Sequence, residues 1–149
     1  MKLTSNAFSH QGYIPREYTC DGANKNPPLN ISDAPADTKS LVLILEDPDV
    51  PKYLREDQMW DHWIVFNIPP QTTQIQEGEE PIGLHGLGTG NTLEYYGPCP
   101  PDGEHRYFFK LFALDTMLTL AEKSTKKEVE KAMEGHILAT TELMGVYGR

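Results

Sequence analysis

Short apolar runs that end at prolines constrain the fold of this chain more than any other feature. Twelve prolines and twelve glycines among 149 residues punctuate mainly the first two-thirds of the sequence. The runs between them, such as Leu41–Glu46 and His62–Ile68, are rich in β-branched or aromatic residues. Runs of this length and composition are typical of strands. The sequence therefore predicts a mainly β fold.

Three segments give the clearest strand predictions. Leu41–Glu46 is almost entirely apolar, which is typical of a strand buried on both faces. Arg106–Leu114 places apolar side chains on one face by period-two alternation, and its opposite face is also largely apolar. Thr140–Tyr147 is expected to form a closing strand. Two-sided burial indicates a sandwich whose strands are covered by a second layer.

One helix is expected near the carboxyl terminus. Thr125 and Glu128 form a T-x-x-E capping box, which marks a helix start. Apolar positions at helical spacing then extend the predicted helix as far as His136 and Ile137. We expect residues 1–149 to form a single domain, an antiparallel β-sandwich with one or two peripheral helices.

Charge and cysteine content exclude several classes of protein. The formal net charge of -9 and the low pI of about 4.9 oppose attraction to nucleic acid or to an anionic membrane. No apolar stretch is long enough for stable membrane insertion, so a cytoplasmic location is expected. Cys20 and Cys99 form neither a CxxC motif nor a dense disulfide framework. We expect two free thiols, with one long-range disulfide as the open alternative.

Three segments carry candidate functional side chains: DPDVP (residues 47–51), WDHW (60–63) and GPCPPDGEHRY (97–107). Each also has an ordinary structural explanation, such as a stiff turn or a structural histidine. In the second segment, alternation puts Trp60 and His62 on one face, opposite Asp61 and Trp63. The third is a proline-rich loop leading into a strand.

The two faces of that strand separate its polar side chains. His105 and Tyr107 share one face, while Arg106 points the other way. Arg106 is therefore expected to form a structural ion pair, with Asp49 as the proposed partner.

The three segments, in this order, resemble the phosphatidylethanolamine-binding-protein family in its bacterial and archaeal, YbhB/YbcL-like form. IPREYTCDGANKNPPLNI upstream and AMEGHILATTELMGVYGR downstream extend the resemblance to nearly the whole chain. The resemblance implies a β-sandwich with a small pocket that accepts phosphate-like groups. It assigns to this pocket Asp47, Pro51, Trp60, His62, Gly97, Pro100, Pro101, His105 and Tyr107.

The chemistry of these residues suits a phosphate-like or zwitterionic ligand. Histidine and tyrosine donate to anionic oxygens, whereas Asp47 would orient an imidazole or meet an ammonium group. No cofactor is expected. The resemblance also implies a protein that modulates a kinase or protease, and a homodimer is an open expectation.

An enzyme is the main alternative interpretation. Asp47, His62 and His105 have the composition of a 2-His-1-carboxylate metal site with open positions. Against this, the sequence contains no HExxH motif, and it has no GxSxG motif of a serine hydrolase.

Overall fold

The computed structural model describes residues 1–149 as two antiparallel sheets and one α-helix. In chain order the strands are β1 (Lys2–Thr4), β2 (Leu29–Ser32), β3 (Ser40–Asp47), β4 (Trp60–Ile68), β5 (Gln74–Ile75), β6 (Leu84–His85), β7 (Glu104–Leu114) and β8 (Ile137–Gly148). The helix α1 spans Lys126–Met133, and a 3-10 turn spans Arg16–Tyr18. The smaller sheet has the order β1-β2-β5, and the larger has the order β6-β4-β3-β7-β8.

The main core lies between the two sheets and contains 19 buried hydrophobic side chains. Strand β3 is at the centre of the larger sheet, and all eight of its residues are buried. Its alternating side chains divide between two clusters: Leu43 joins the main core, whereas Val42 joins a second cluster of 8 residues that includes Val129 of α1. The predicted sandwich with a peripheral helix and a doubly buried strand is confirmed.

Helix α1 begins as the sequence predicts but ends earlier. Thr125 is the N-cap, and both hydrogen bonds of the capping box with Glu128 are present. The helix stops at Met133 because Gly135 adopts a positive φ of 79°, a conformation that commonly ends helices. His136 and Ile137 were therefore wrongly assigned to the helix. Instead, His136 is exposed and Ile137 begins β8.

Strand β8 confirms the predicted closing strand and extends it to twelve residues. Position 145 of this strand is a glycine because two core side chains pack directly against the backbone there. A Cβ at Gly145 would lie 2.5 Å from Ile14 Cγ1 and 2.8 Å from Phe8 Cε2.

The two cysteines are not free thiols. Cys20 and Cys99 form a disulfide, with their Cα atoms 5.4 Å apart and a sequence separation of 79 residues. A backbone hydrogen bond from Cys20 N to the Pro98 carbonyl joins the same two segments. The expectation of free thiols was wrong because sequence spacing does not reveal that these loops are neighbours. None of the helices has the length and apolar character that crossing a bilayer requires.

Candidate functional site

Three strand ends meet at one edge of the larger sheet and form a cavity of about 330 Å³. Asp47 ends β3 and pairs with Trp60, which begins β4, while His105 lies at the start of β7. We call this cavity the strand-end pocket. It is lined by Asp47, Val50, Leu54, Trp60, His62, Tyr96, Cys99, Pro101, His105 and Tyr107.

A β-bulge directs His62 into the pocket. Leu45 pairs with Trp63 and the next residue, Glu46, pairs with Asp61, so His62 is the extra residue in β4. Because of the bulge, Trp63 joins the main core on the same side as His62, and strict alternation predicted the wrong face for it. Asp61 does face the other side, where its carboxylate lies 2.7 Å from Lys126 of α1.

Asp47 fixes the orientation of His105. Its Oδ2 lies 2.7 Å from His105 Nδ1, and its Oδ1 accepts the backbone N–H of Asp49 at 2.8 Å. Both side chains are almost fully buried, with 6% of His105 and 4% of Asp47 exposed. Because a carboxylate only accepts hydrogen bonds, Nδ1 of His105 carries a proton and donates it.

His62 is held in the same tautomer by the backbone. Its Nδ1 lies 2.7 Å from the Tyr96 carbonyl oxygen, so Nδ1 is again the donor. The Tyr96 ring stacks on the imidazole with 6.1 Å between ring centroids. Burial lowers the pKa of His62 to about 4, so its ring is neutral at physiological pH.

Tyr107 contributes a hydroxyl without a partner. The side chain is fully buried, its ring meets that of His62 edge-on at 5.5 Å, and its hydroxyl has no hydrogen-bond partner. Burial raises the pKa of Tyr107 most, and the Asp47 carboxylate, which lies near the hydroxyl without a well-formed hydrogen bond to it, raises the pKa further, so the hydroxyl keeps its proton. A buried, unsatisfied hydroxyl costs about 1 to 3 kcal/mol, which a ligand able to accept a hydrogen bond from it would offset.

These tautomers determine what the pocket can offer. In both histidines Nδ1 is already engaged, so Nε2 is the ring nitrogen left for a ligand. In a neutral ring this Nε2 is an acceptor, and it donates only when the ring is protonated. The neutral pocket therefore provides two acceptors and one donor, and protonation of a histidine converts an acceptor into a charged donor.

Arg106 lies outside the pocket, as predicted, and pairs with Asp49. The guanidinium donates from Nε at 2.9 Å and from an Nη at 2.8 Å, and the Arg106 backbone N–H donates at 2.8 Å. The Arg106 side chain holds the pKa of the Asp49 carboxyl below its usual range. The pair ties the DPDVP turn to the start of β7 and so helps to position Asp47 beside His105.

Six of the nine predicted site residues line the strand-end pocket: Asp47, Trp60, His62, Pro101, His105 and Tyr107. The other three, Pro51, Gly97 and Pro100, do not line it. The Pro51 carbonyl accepts hydrogen bonds within the following turn, and Pro100 is buried. Gly97 donates to Asn24 Oδ1, and a Cβ there would clash with the Tyr18 carbonyl.

Four lining residues were missed: Val50, Leu54, Tyr96 and Cys99. Val50 and Cys99 lie within two of the segments singled out, so their neighbours could have indicated them. Tyr96 directly precedes the proline-rich loop, and its contribution through a carbonyl is invisible in sequence. Leu54 is 53% exposed and reaches the pocket only because the turn after Pro51 folds back.

The metal-site alternative is not supported by this geometry. Asp47, His62 and His105 do not form a group of three side chains that could hold a metal ion. The Asp47 carboxylate is directed at His105 Nδ1, and His62 Nδ1 is directed at a carbonyl. Two of the three candidate ligands, Asp47 and His105, are therefore hydrogen-bonded to each other.

Comparison with known proteins agrees with this architecture. Residues 4–148 match the family described as phosphatidylethanolamine-binding protein. A UPF0098 protein of Chlamydia trachomatis is 50% identical over 147 residues, covering 99% of this chain and 98% of the relative. One from Methanothermobacter thermautotrophicus is 47% identical over 155 residues, covering 100% and 99%.

Two solved structures share the fold. The putative phosphatidylethanolamine-binding protein homolog CT736 from Chlamydia trachomatis superposes with a TM-score of 0.96 at 50% identity, covering 99% of this chain and 96% of that one. Escherichia coli YbcL, described as a member of the mammalian family, gives 0.88 at 29% identity, covering 99% and 98%. The chain belongs to the phosphatidylethanolamine-binding-protein family.

Proposed function

We propose that the strand-end pocket binds a small phosphoryl group, either alone or as part of a zwitterionic headgroup. The observation that carries this proposal is the Tyr107 hydroxyl, a fully buried donor without a partner on a residue that lines the pocket. A phosphoryl oxygen would accept a hydrogen bond from this hydroxyl and remove the penalty of leaving it unsatisfied.

The two histidines suit both ends of a zwitterion. A protonated Nε2 of His105 donates to an anionic oxygen, and charge-assisted bonds of this kind are the stronger class. A neutral Nε2 of His62 instead accepts from an ammonium or from a P–OH group. Asp47 already accepts two hydrogen bonds within the protein, and its charge favours a ligand that carries a cation as well.

Apolar side chains form the outer wall of the pocket. Val50, Leu54 and Trp60 line it together with Pro101. Such walls exclude water from the polar floor and strengthen the hydrogen bonds made there. The net charge of -9 opposes attraction of anions from a distance, so the proposal rests on this local arrangement.

The wider role that we propose is that of a ligand-binding protein whose pocket rim meets a protein partner, such as a kinase or protease. Homodimer formation and a cytoplasmic location also stay predictions.

The Cys20–Cys99 disulfide argues against a cytoplasmic location, because disulfides are uncommon in a reducing cytosol. Thiol labelling of the protein inside the cells that make it tests the location.

Calorimetric titration with inorganic phosphate and with phosphoethanolamine tests the binding proposal. We expect weak binding to the wild type and loss of most of it in His105→Ala. His136→Ala is the matched control, because His136 also pairs with an aspartate but lies outside the pocket. Equal affinities of His105→Ala and the wild type would contradict the proposal.

A second titration separates charged from neutral donors. Glycerophosphoethanolamine is a suitable probe because its phosphodiester keeps one negative charge between pH 6 and pH 8, unlike a monoester with a pKa of about 6. If imidazolium donors contribute, its affinity falls as the pH rises across this range. Constant affinity would leave Tyr107 and other neutral groups as the only donors.

A further inference from the structure

His105 has the environment of a nucleophile as well as that of a binding residue. Its Nδ1–H is fixed 2.7 Å from the Asp47 carboxylate, and both side chains are almost fully buried. The hydrogen bond leaves the lone pair on Nε2 and makes this nitrogen more electron-rich. In the phosphoryl-binding proposal this carboxylate orients the imidazole, and with the ring neutral the same contact leaves Nε2 free to act as a nucleophile.

We propose that His105 Nε2 accepts a phosphoryl group from a small donor with a good leaving group, such as an acyl phosphate or a phosphoramidate. The inference rests on the proposed function, because that function brings phosphorus next to the imidazole. The product is a phosphohistidine on the floor of the strand-end pocket.

The transfer balances without any further reactant. With phosphoramidate as donor, the Nε2 lone pair forms the new N–P bond while the P–N bond breaks. Phosphoramidate reacts in its N-protonated, zwitterionic form, so the leaving nitrogen takes that bonding pair and departs directly as neutral ammonia. Nδ1 keeps its proton in the hydrogen bond to Asp47, so the substituted ring becomes a cation. The adjacent carboxylate stabilises this charge in a buried site.

The rest of the pocket suits the incoming group. The unpartnered Tyr107 hydroxyl can donate to a phosphoryl oxygen as charge builds up there. His62 is neutral because burial lowers its pKa, and its ring lies against that of Tyr107. The apolar wall keeps bulk water away from a bond that water would otherwise hydrolyse.

The chain contains its own control for this inference. His136 Nδ1 lies 2.8 Å from Asp115 Oδ1, nearly the same contact, but 46% and 45% of these side chains are exposed. An exposed pair has no pocket to bind or orient a donor. If the aspartate alone activated the imidazole, His136 would react at least as fast as buried His105.

The experiment treats the full chain with potassium phosphoramidate and follows acid-labile phosphoryl uptake at each histidine by mass spectrometry. We expect His105 to react at least about tenfold faster than His136, because the pocket orients the donor. His105→Asn should abolish this fast phase and His136→Asn should leave it unchanged. Asp47→Asn should slow it by at least about tenfold.

Site mapping on the wild type keeps the test decisive even where a variant folds poorly. Reaction at His136 that equals or exceeds reaction at His105 would overturn the inference. Calorimetry with inorganic phosphate on the same sample distinguishes the two proposals. Phosphate binding without phosphoryl transfer would contradict only the phosphohistidine proposal. The absence of both binding and transfer would contradict the binding proposal as well.

Discussion

Two histidine–aspartate pairs in this molecule have almost the same contact and very different surroundings. His105 and Asp47 are 2.7 Å apart at the buried floor of the strand-end pocket, whereas His136 and Asp115 are 2.8 Å apart on the surface. The buried pair adjoins an unpartnered Tyr107 hydroxyl, whereas the exposed pair joins the residue after β7 to the residue before β8. The difference shows that the cavity, and not the contact itself, makes a candidate site.

The two pairs also differ in where they lie relative to the strands. Asp47 ends β3 and His105 lies in β7, so two neighbouring strands of the larger sheet fix the buried pair. Asp115 and His136 lie just outside β7 and β8, where backbone hydrogen bonds link Asp115 to His136 and His136 to Met133. Substitutions should therefore affect the buried pair far more strongly.

The largest expected effect comes from the disulfide that supports one wall of the buried site. With Cys20 and Cys99 79 residues apart, loop-closure entropy predicts that Cys20→Ser with Cys99→Ser lowers the free energy of unfolding by about 4 kcal/mol. Urea denaturation measures this difference, with the reduced wild type as a matched control. Affinity for phosphoethanolamine should fall as well, because Cys99 lines the pocket.

The contrast between the two pairs would be clearer if removal of the disulfide left the exposed His136–Asp115 pair unchanged. The nuclear magnetic resonance chemical shifts of the His136 ring should be the same in the disulfide-free variant as in the wild type. A change in these chemical shifts would show that the disulfide affects more than the pocket wall. Unchanged stability would contradict the predicted contribution of the cross-link.

The next effect tests the two pairs directly. Asp47→Ala removes the acceptor of the buried His105 Nδ1–H and of the half-buried Asp49 N–H, and we expect a loss of about 3 kcal/mol. Asp115→Ala breaks an exposed pair, and we expect a change below about 1 kcal/mol. Urea denaturation at pH 7 compares the two variants, and similar losses would remove the distinction drawn between the pairs.

Sequence reasoning located the buried pair more successfully than the exposed one. The sheet, the capping box at Thr125, and the facing of Arg106 away from His105 follow from alternation and local signals. The bulge at His62 does not, because it depends on how β3 and β4 pair. Helical spacing extended through Gly135 also placed His136 on a helix that ends before it.

The contributions of the loops were the hardest to predict. Tyr96 fixes His62 through a backbone carbonyl, which has no sequence signature. Likewise, the disulfide joins loops that become neighbours only after the two sheets pack. Period-two patterns report burial along a strand, whereas these contacts depend on chain closure over long distances.

The smallest of these effects is the acid sensitivity that the buried site adds through His62. Its pKa of about 4 in the folded protein lies below the ordinary value of 6.5, so the unfolded chain binds a proton more readily between these values. Stability from this group is therefore present above pH 6.5 and falls as the pH drops towards 4. For these two pKa values, linkage predicts a loss of about 2 kcal/mol between pH 7.5 and pH 5.

The measurement compares urea denaturation of the wild type and His62→Gln at both pH values. Glutamine does not titrate, so the variant should lose about 2 kcal/mol less on acidification. His136→Gln is the control, because an exposed imidazole can protonate without leaving water. Equal losses of stability in the wild type and His62→Gln would show that His62 is solvated enough to take up its proton in the folded state. The pocket floor would then not exclude water, and this distinction between the buried pair and the exposed pair would be wrong.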